Sequence, residues 1–221
     1  DVYKRQVLRA GGLLSGSASV VIGQSGSGKT TLALAFAAAS TAQNPGLLLP
    51  CTELAGDLRR MGAELGLAVA EAADRGALTV EPLGHEDESM DEMGHKLLRM
   101  VDELKIRRLA VDGLAGLADT LAFSERGYRF LGRLLAELKA RGVTSIFTVD
   151  PAALAVAANT PLAEGVVGWF DNAFVFQSPC DGDGDSSKRI LSITKIRGGH
   201  ASRTTVDVHL PLLDASTHTS T

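Results

Sequence analysis

Eight residues near the start of the chain, GQSGSGKT at 23–30, match the pattern G-x-x-x-x-G-K-[ST]. A polyphosphate carries several charges, so it is held well by several backbone N–H groups that point inward, and glycines allow the backbone to form such a nest. The Lys29 ammonium can contact the outer phosphates, and a helix that begins near it adds the positive end of its dipole. The pattern predicts a nucleotide site formed by Gly23, Ser25, Gly26, Ser27, Gly28, Lys29, Thr30 and Thr31.

Two oxygen donors in the sequence suit the Mg²⁺ ion that accompanies a bound nucleotide. The Thr30 hydroxyl directly follows the lysine, and Asp112 ends a strand-like run, RRLAVD. A carboxylate in that place would project from the carboxyl end of a parallel sheet, beside the phosphate loop. The other interpretation of Asp112 is an ordinary turn residue before Gly113. We expect Thr30 and Asp112 to be the metal ligands.

Strand-like and helix-like stretches alternate around these residues. A β-branched strand at 19–23 leads into the loop and a helix at 29–42 follows it, which is the context that distinguishes a phosphate loop from a chance glycine-rich turn. The stretch SMDE at 89–92 is a capping box that opens a helix running to about residue 105. Further strands are predicted at 46–51, 77–83, 107–113, 143–150 and 204–210, further helices at 54–66 and 124–142, and a hairpin at 172–178 and 188–198. This order predicts an α/β fold, with a mainly parallel central sheet flanked by helices and a C-terminal antiparallel hairpin extension.

Length and composition indicate one folded domain. The 221 residues are 45% hydrophobic and carry a net charge of −4, which argues against a dedicated nucleic-acid binder because such proteins have a basic surface. No apolar run reaches the roughly 18 residues of a membrane span. Cys51 and Cys180 form no metal or disulfide pattern, so we expect a reducing, cytoplasmic location. The first six residues, DVYKRQ, resemble a translated sequencing adapter, and we expect one domain over 7–212 and a disordered polar tail at 213–221.

Several stretches beyond the phosphate loop are distinctive. They are GGLLSGSASVVIGQSGSGKTTLALAFA, GLLLPCTELAGDLRRMGAELG, RRLAVDGLAGL, GVVGWFDNAFVF and KIRGGH. Together they resemble the RecA-like P-loop ATPases of the KaiC/RadA type, and single-domain KaiC-like proteins in particular, from about Gly11 to about Leu210. The loop occurs in many NTPases, whereas KIRGGH and its distance from the loop narrow the resemblance. The resemblance implies a RecA-like fold, ATP with Mg²⁺ as cofactors, and a homo-oligomeric ring, expected to be a hexamer, with ATP at each subunit interface.

The resemblance also implies a catalytic carboxylate. In this family the second strand ends in a pair of glutamates that polarise the attacking water, and the matching positions here are Thr52 and Glu53. A threonine cannot act as a base at neutral pH, so Glu53, together with Lys29, is the remaining catalytic candidate. The alternative for Glu53 is an acid that opens the next helix, where it suits the helix dipole.

The resemblance also assigns a role to a second pair of residues, which are basic. Lys195 and Arg197 match a Lys-x-Arg pair that reaches the γ-phosphate in a neighbouring subunit. Residues i and i+2 share one face of a strand, so both cations can converge on one anion. Without the family, they would be two exposed basic residues on a solvated strand.

The partner is predicted from the stretches at 113–123 and 151–165, which correspond to the DNA-binding loops of recombinases. Neither contains a lysine or an arginine, and contacts with DNA phosphates need cations. We therefore expect a KaiC-like protein that assembles with ATP, hydrolyses it slowly and signals to a protein partner, without contact with DNA or a membrane. The alternatives are a non-hydrolysing nucleotide-dependent interaction module, because of Thr52, and a RadA-like accessory of DNA recombination.

Overall fold

Eight strands form one sheet, and the residues discussed below lie in this sheet or in the helices and loops that connect its strands. The structure is a computed structural model that describes residues 13–51, 53–82, 89–114, 125–151, 167–177, 188–196 and 204–209. The strands are β1 (Ala18–Ile22), β2 (Gly46–Pro50), β3 (Leu78–Val80), β4 (Arg108–Asp112), β5 (Thr144–Val149), β6 (Asn172–Gln177), β7 (Lys188–Ile196) and β8 (Thr204–His209). Their order across the sheet is β3-β2-β4-β5-β1-β6-β7-β8.

The first six strands all run parallel, whereas β7 is antiparallel to β6 and β8 is antiparallel to β7. This confirms the predicted α/β fold and its C-terminal hairpin; the acidic tip of that hairpin, at 181–185, lies outside the described residues. Strand β5 lies between β1 and β4. We call the side of the sheet where β1 to β6 end its carboxyl end, and the side where they begin its amino end.

Five helices connect the strands within the described ranges. They are α1 (Lys29–Ala38), α2 (Ala55–Glu64), α3 (Val69–Asp74), α4 (Met90–Glu103) and α5 (Glu125–Ala140). The predicted capping box of α4 is confirmed, since the Ser89 and Glu92 side chains each bond the other's backbone N–H. Helix α1 ends four residues before the predicted residue 42, and just past its end the Ser40 hydroxyl donates to the Ala37 carbonyl. Helix α3 was not predicted, since six residues are too few for a helical period to stand out.

The helices cover both faces of the sheet. Helices α4 and α5 bury Leu97 and Leu135 on one face, and α1 and α2 bury Leu34 and Leu58 on the other. Successive side chains of a strand point to opposite faces of the sheet. In β4, Val111 packs in the core on the side of α4 and α5, and Ala110 packs in the core on the side of α1 and α2. Helix α1 packs against β4 and β5, so its first residues lie beside the ends of those strands. No helix in the described part of the chain has the length and hydropathy to cross a membrane.

Candidate functional site

The predicted phosphate loop connects the end of β1 to the start of α1. The Gly23 N–H donates to the Val149 carbonyl at 3.2 Å, so the loop leaves the sheet directly beside β5. A Cβ atom at position 23 would lie 2.9 Å from the Phe176 Cβ and would overlap the Ser27 Oγ. Gly28 has φ of 102°, a conformation that L side chains rarely adopt. Glycine is therefore required at position 23 by the close approach of β6, and at position 28 by the turn into the helix.

The first turn of α1 provides the anion-binding end of a helix. Gly28 is its N-cap and has no side chain that could bond the free N–H groups. No acidic residue lies in the first turn of α1 to offset the positive end of the dipole. Backbone N–H groups left in this way at a helix N-terminus bind phosphate readily.

Lys29 lies among oxygen atoms at this loop. Its Nζ donates to the Gly23 carbonyl and, at 2.7 Å, to the Gln24 carbonyl, and it lies 4.0 Å from the Asp150 Oδ2. Burial lowers the pKa of Lys29 below its usual value, against the opposing effect of the carboxylates of Asp150, Asp112 and Glu53. A bound phosphate would compete with the two carbonyl oxygens for the ammonium hydrogens. The lysine is thus held at the loop within the electrostatic range of three acids.

Asp112 is the last residue of β4 and is almost fully buried. Its Oδ1 accepts a hydrogen bond of 2.6 Å from the Thr148 hydroxyl on β5, and that hydroxyl accepts one of 2.7 Å from the Gly113 N–H. Burial raises the pKa of Asp112, and its interactions with the Thr148 and Thr30 hydroxyls oppose this rise. The other oxygen, Oδ2, is buried and has no hydrogen-bond partner among the residues that the structure describes.

The lack of a partner for the Asp112 Oδ2 within the described ranges shows whether these residues fit Mg²⁺. A buried carboxylate oxygen without a partner is costly, and a hard cation with oxygen ligands would satisfy it. In the described ranges, no three His, Cys, Asp or Glu side chains form a metal cluster. Mg²⁺ at a nucleotide takes only one or two carboxylates and shares the phosphates. Asp112 and the Thr30 hydroxyl fit this requirement.

Glu53 follows β2, which pairs with β4, and it is close enough to act electrostatically on Lys29 and Asp112. The same two acids, Asp112 and Glu53, add to burial in raising the pKa of the Cys51 thiol to about 12. Thr52 lies outside the described residues. Glu53 therefore joins the other predicted residues at the carboxyl end of the sheet.

Comparison with known proteins identifies the group to which this arrangement belongs. Residues 5–210 match the family model "ATPase: KaiC". The chain belongs to the KaiC ATPase family. It is 25% identical over 200 residues to the circadian clock oscillator protein KaiC of Synechococcus elongatus, a match that covers 85% of this chain and 37% of the relative. The KaiC proteins of Prochlorococcus marinus and Parathermosynechococcus lividus are 25% and 26% identical over the same length, and the match covers 39% and 36% of them. The chain thus spans less than two fifths of the length of these relatives.

Lys195, the first residue of the Lys-x-Arg pair expected of a KaiC-type chain, lies away from the phosphate loop. Lys195 pairs with Ala173 near the start of β6, so it lies at the amino end of the sheet. Its Nζ donates to the carbonyls of Phe170 at 2.6 Å and Gly168 at 3.0 Å. Arg197 lies outside the described residues.

Sequence reasoning did not assign two residues that the structure places beside the predicted ones, Thr148 and Asp150. Both lie at the end of β5, between β1 and β4. The available signal was that the predicted strand at 143–150, like the one at 107–113, carries an acid at its end. Ends of parallel strands meet on one side of a sheet, so a second such acid was a candidate for the same site.

Proposed function

We propose that this chain binds ATP together with Mg²⁺ at the loop of residues 23–30. The observation that carries the proposal is the buried Oδ2 of Asp112, which has no hydrogen-bond partner within the described ranges and lies at the same end of the sheet as the uncapped first turn of α1. Thr30 and Asp112 would hold the ion, the N–H groups of the loop would hold the phosphates, and Lys29 would contact the outer phosphates. When bound, Mg²⁺ neutralises phosphate charge and holds the phosphate oxygens in place.

The proposed activity is slow hydrolysis of the bound ATP. Two carboxylates besides Asp112 act on Lys29, those of Glu53 and Asp150, so the site contains groups that could orient a water molecule. The second candidate function is a nucleotide-dependent interaction module that does not hydrolyse ATP. It is favoured by Thr52, which occupies a position where the family has a glutamate.

The proposed assembly is a ring, with a hexamer as the expected form, in which Lys195 and Arg197 approach the ATP of a neighbouring subunit. Lys195 pairs through Ala173 with Val20, three residues before Gly23. Strand geometry places its backbone about 14 Å from the start of the loop, and its side chain bonds carbonyls at the amino end. A contact with phosphate would therefore be made across a subunit boundary, and Lys195 would exchange its carbonyl partners for it.

The proposed partner is a protein that responds to the ATP-bound assembly. The stretches at 113–123 and 151–165 lack lysine and arginine, which supports a protein rather than DNA at those loops. A RadA-like role in DNA recombination would need cations there.

The test combines calorimetry with light scattering behind size exclusion. We expect Mg·ATP to release heat on binding and to shift the mass from one subunit towards six, with neither effect for Lys29→Ala. The matched control is Lys96→Ala, which removes a lysine from α4. If the wild-type chain gives no heat with Mg·ATP, the nucleotide proposal is wrong; heat without a change in mass contradicts only the ring.

A further inference from the structure

Asp150 lies at the carboxyl end of the sheet, directly after β5, and its side chain is next to Lys29 of the phosphate loop. The preceding residue, Val149, accepts the hydrogen bond from the Gly23 N–H. Asp150 therefore lies at the point where the phosphate loop leaves the sheet. Thr148, two residues before Asp150, donates a hydrogen bond to the Asp112 carboxylate. The end of β5 is thus fixed to both halves of the proposed Mg·ATP site, and Asp150 extends from this fixed point.

The Asp150 side chain is within reach of a phosphate held by Lys29. Its Oδ2 lies 4.0 Å from the Lys29 Nζ, and about a third of the side chain is exposed to solvent. A phosphate oxygen bonded to the same ammonium lies about 2.8 Å from it. The two oxygens are then at most about 7 Å apart, and one water molecule that bonds both spans about 5–6 Å. This upper limit includes the separation at which one water molecule can bond both the carboxylate and the phosphate.

The other carboxylates near Lys29 are less well placed to bond a water molecule beside the phosphate. Asp112 is buried and bonded to Thr148, and its second oxygen fits the metal. Position 52, where the family has a glutamate, is a threonine and cannot accept a proton at neutral pH. Glu53, at the end of β2, acts on Lys29 less strongly than Asp150 does. Asp150 follows β5, the strand adjacent to β1, and its Oδ2 lies 4.0 Å from the Lys29 Nζ.

We infer that Asp150 is the catalytic base of ATP hydrolysis in this chain, so that β5 supplies the carboxylate that β2 supplies elsewhere in the family. The inference rests on the proposed binding of Mg·ATP. The Asp150 carboxylate accepts a hydrogen bond from a water molecule whose oxygen attacks the γ-phosphorus. A bond forms between that oxygen and phosphorus, the bond from phosphorus to the β,γ-bridging oxygen breaks, and the bridging oxygen keeps the electron pair and becomes part of ADP. The water proton passes to Asp150 and then to solvent, and the products are ADP and inorganic phosphate.

Asp150→Asn tests the inference because it keeps the shape of the side chain and removes the base. We expect phosphate release with saturating Mg·ATP to fall about 100-fold or more, while calorimetry shows a dissociation constant for Mg·ATP within about threefold of the wild type. The matched control is Asp74→Asn, the same change at an exposed residue of α3. In Asp150→Ala, added formate should restore part of the phosphate release, because it supplies a carboxylate to the gap.

Three results would overturn the inference. The first is a larger loss of phosphate release in Glu53→Gln than in Asp150→Asn, which would assign the base to Glu53. The second is loss of Mg·ATP binding in Asp150→Asn, which would show that the carboxylate only positions Lys29. The third is a wild-type chain that binds Mg·ATP but releases no more phosphate than Lys29→Ala. Absence of Mg·ATP binding by the wild type would instead refute the proposed function itself.

Discussion

The two ends of the sheet both concentrate charge, but they treat it differently. At the amino end, Asp171 Oδ2 accepts a hydrogen bond from the Ala18 N–H and forms an ion pair of 2.9 Å with Lys139. Lys195 bonds backbone carbonyls of the same chain. At the carboxyl end, Asp112 leaves a buried oxygen without a partner in the described part of the chain. These charges at the amino end are satisfied within the fold, whereas the Asp112 carboxylate at the carboxyl end has an oxygen that the proposed Mg²⁺ could satisfy.

The largest effect should follow from changing the lysine at the carboxyl end. Lys29→Met removes charged hydrogen bonds to phosphate, each of which contributes about 1.5–3 kcal/mol, so the affinity for Mg·ATP should fall at least about tenfold. Calorimetry measures this fall, and Lys96→Met serves as the control. Unchanged affinity would mean that Lys29 is bonded to its own loop in the bound state as well.

Asp112→Asn should have the next largest effect. The substitution keeps the bond to Thr148 possible but removes the charge that would hold the ion, so the apparent Mg²⁺ affinity in the presence of ATP should fall about 10–100-fold. Binding of ATP measured over a Mg²⁺ titration gives this value. An unchanged titration curve would show that Asp112 does not ligate the metal.

Lys195→Met tests the amino end. The ammonium donates to the Phe170 and Gly168 carbonyls, and its loss should lower the free energy of unfolding by about 1–3 kcal/mol. Urea unfolding without nucleotide measures it. Unchanged stability combined with loss of ATP-dependent assembly would contradict the contrast between the two ends, because Lys195 would then act only on a neighbouring subunit.

Helix α4 connects the two ends, and its own ends can be tested separately. At its start, Ser89→Ala should cost about 1 kcal/mol of unfolding free energy, because the cap of the helix is lost. Hydrogen bonds from Ser89 hold the pKa of Glu92 below its usual value. The stabilisation that this provides is present above the unfolded pKa of 4.5 and is lost as the pH falls through the folded value. Urea unfolding as a function of pH should therefore show a weaker loss of stability below pH 4.5 in the variant.

The smallest effect is expected at the other end of α4. Lys105 has φ of 53°, in the left-handed region that glycine adopts without strain, so Lys105→Gly should raise the free energy of unfolding by roughly 0.5–1 kcal/mol. Gly66 follows α2 with φ of 65°, and a Cβ there would meet no atom within 4 Å. Gly66→Ala is therefore the opposite control and should be destabilising through backbone strain alone. Thermal unfolding of both variants measures the two effects.

Features that depend only on residues close together in the sequence could be predicted from the sequence. The phosphate loop, the capping box at 89–92 and the hairpin each consist of neighbouring residue types whose physical roles are local. The link between Asp112 and Thr148 could not be predicted, because it depends on the register of β4 against β5. Lys195 donates to the backbone carbonyls of residues 168 and 170. The direction in which these carbonyls point depends on the path of the chain before β6, which the sequence does not show. Such contacts require the three-dimensional arrangement.

The chain of two hydrogen bonds through Thr148 has a practical consequence. One hydroxyl carries one hydrogen; the Thr148 hydroxyl donates that hydrogen to Asp112, and its oxygen accepts from the Gly113 N–H, so the two bonds share one group. Any event that draws electron density from the carboxylate must weaken the first bond and, through it, alter the second. The amide resonance of Gly113 in an NMR spectrum should thus act as a built-in reporter of cation arrival, readable without labelling the nucleotide.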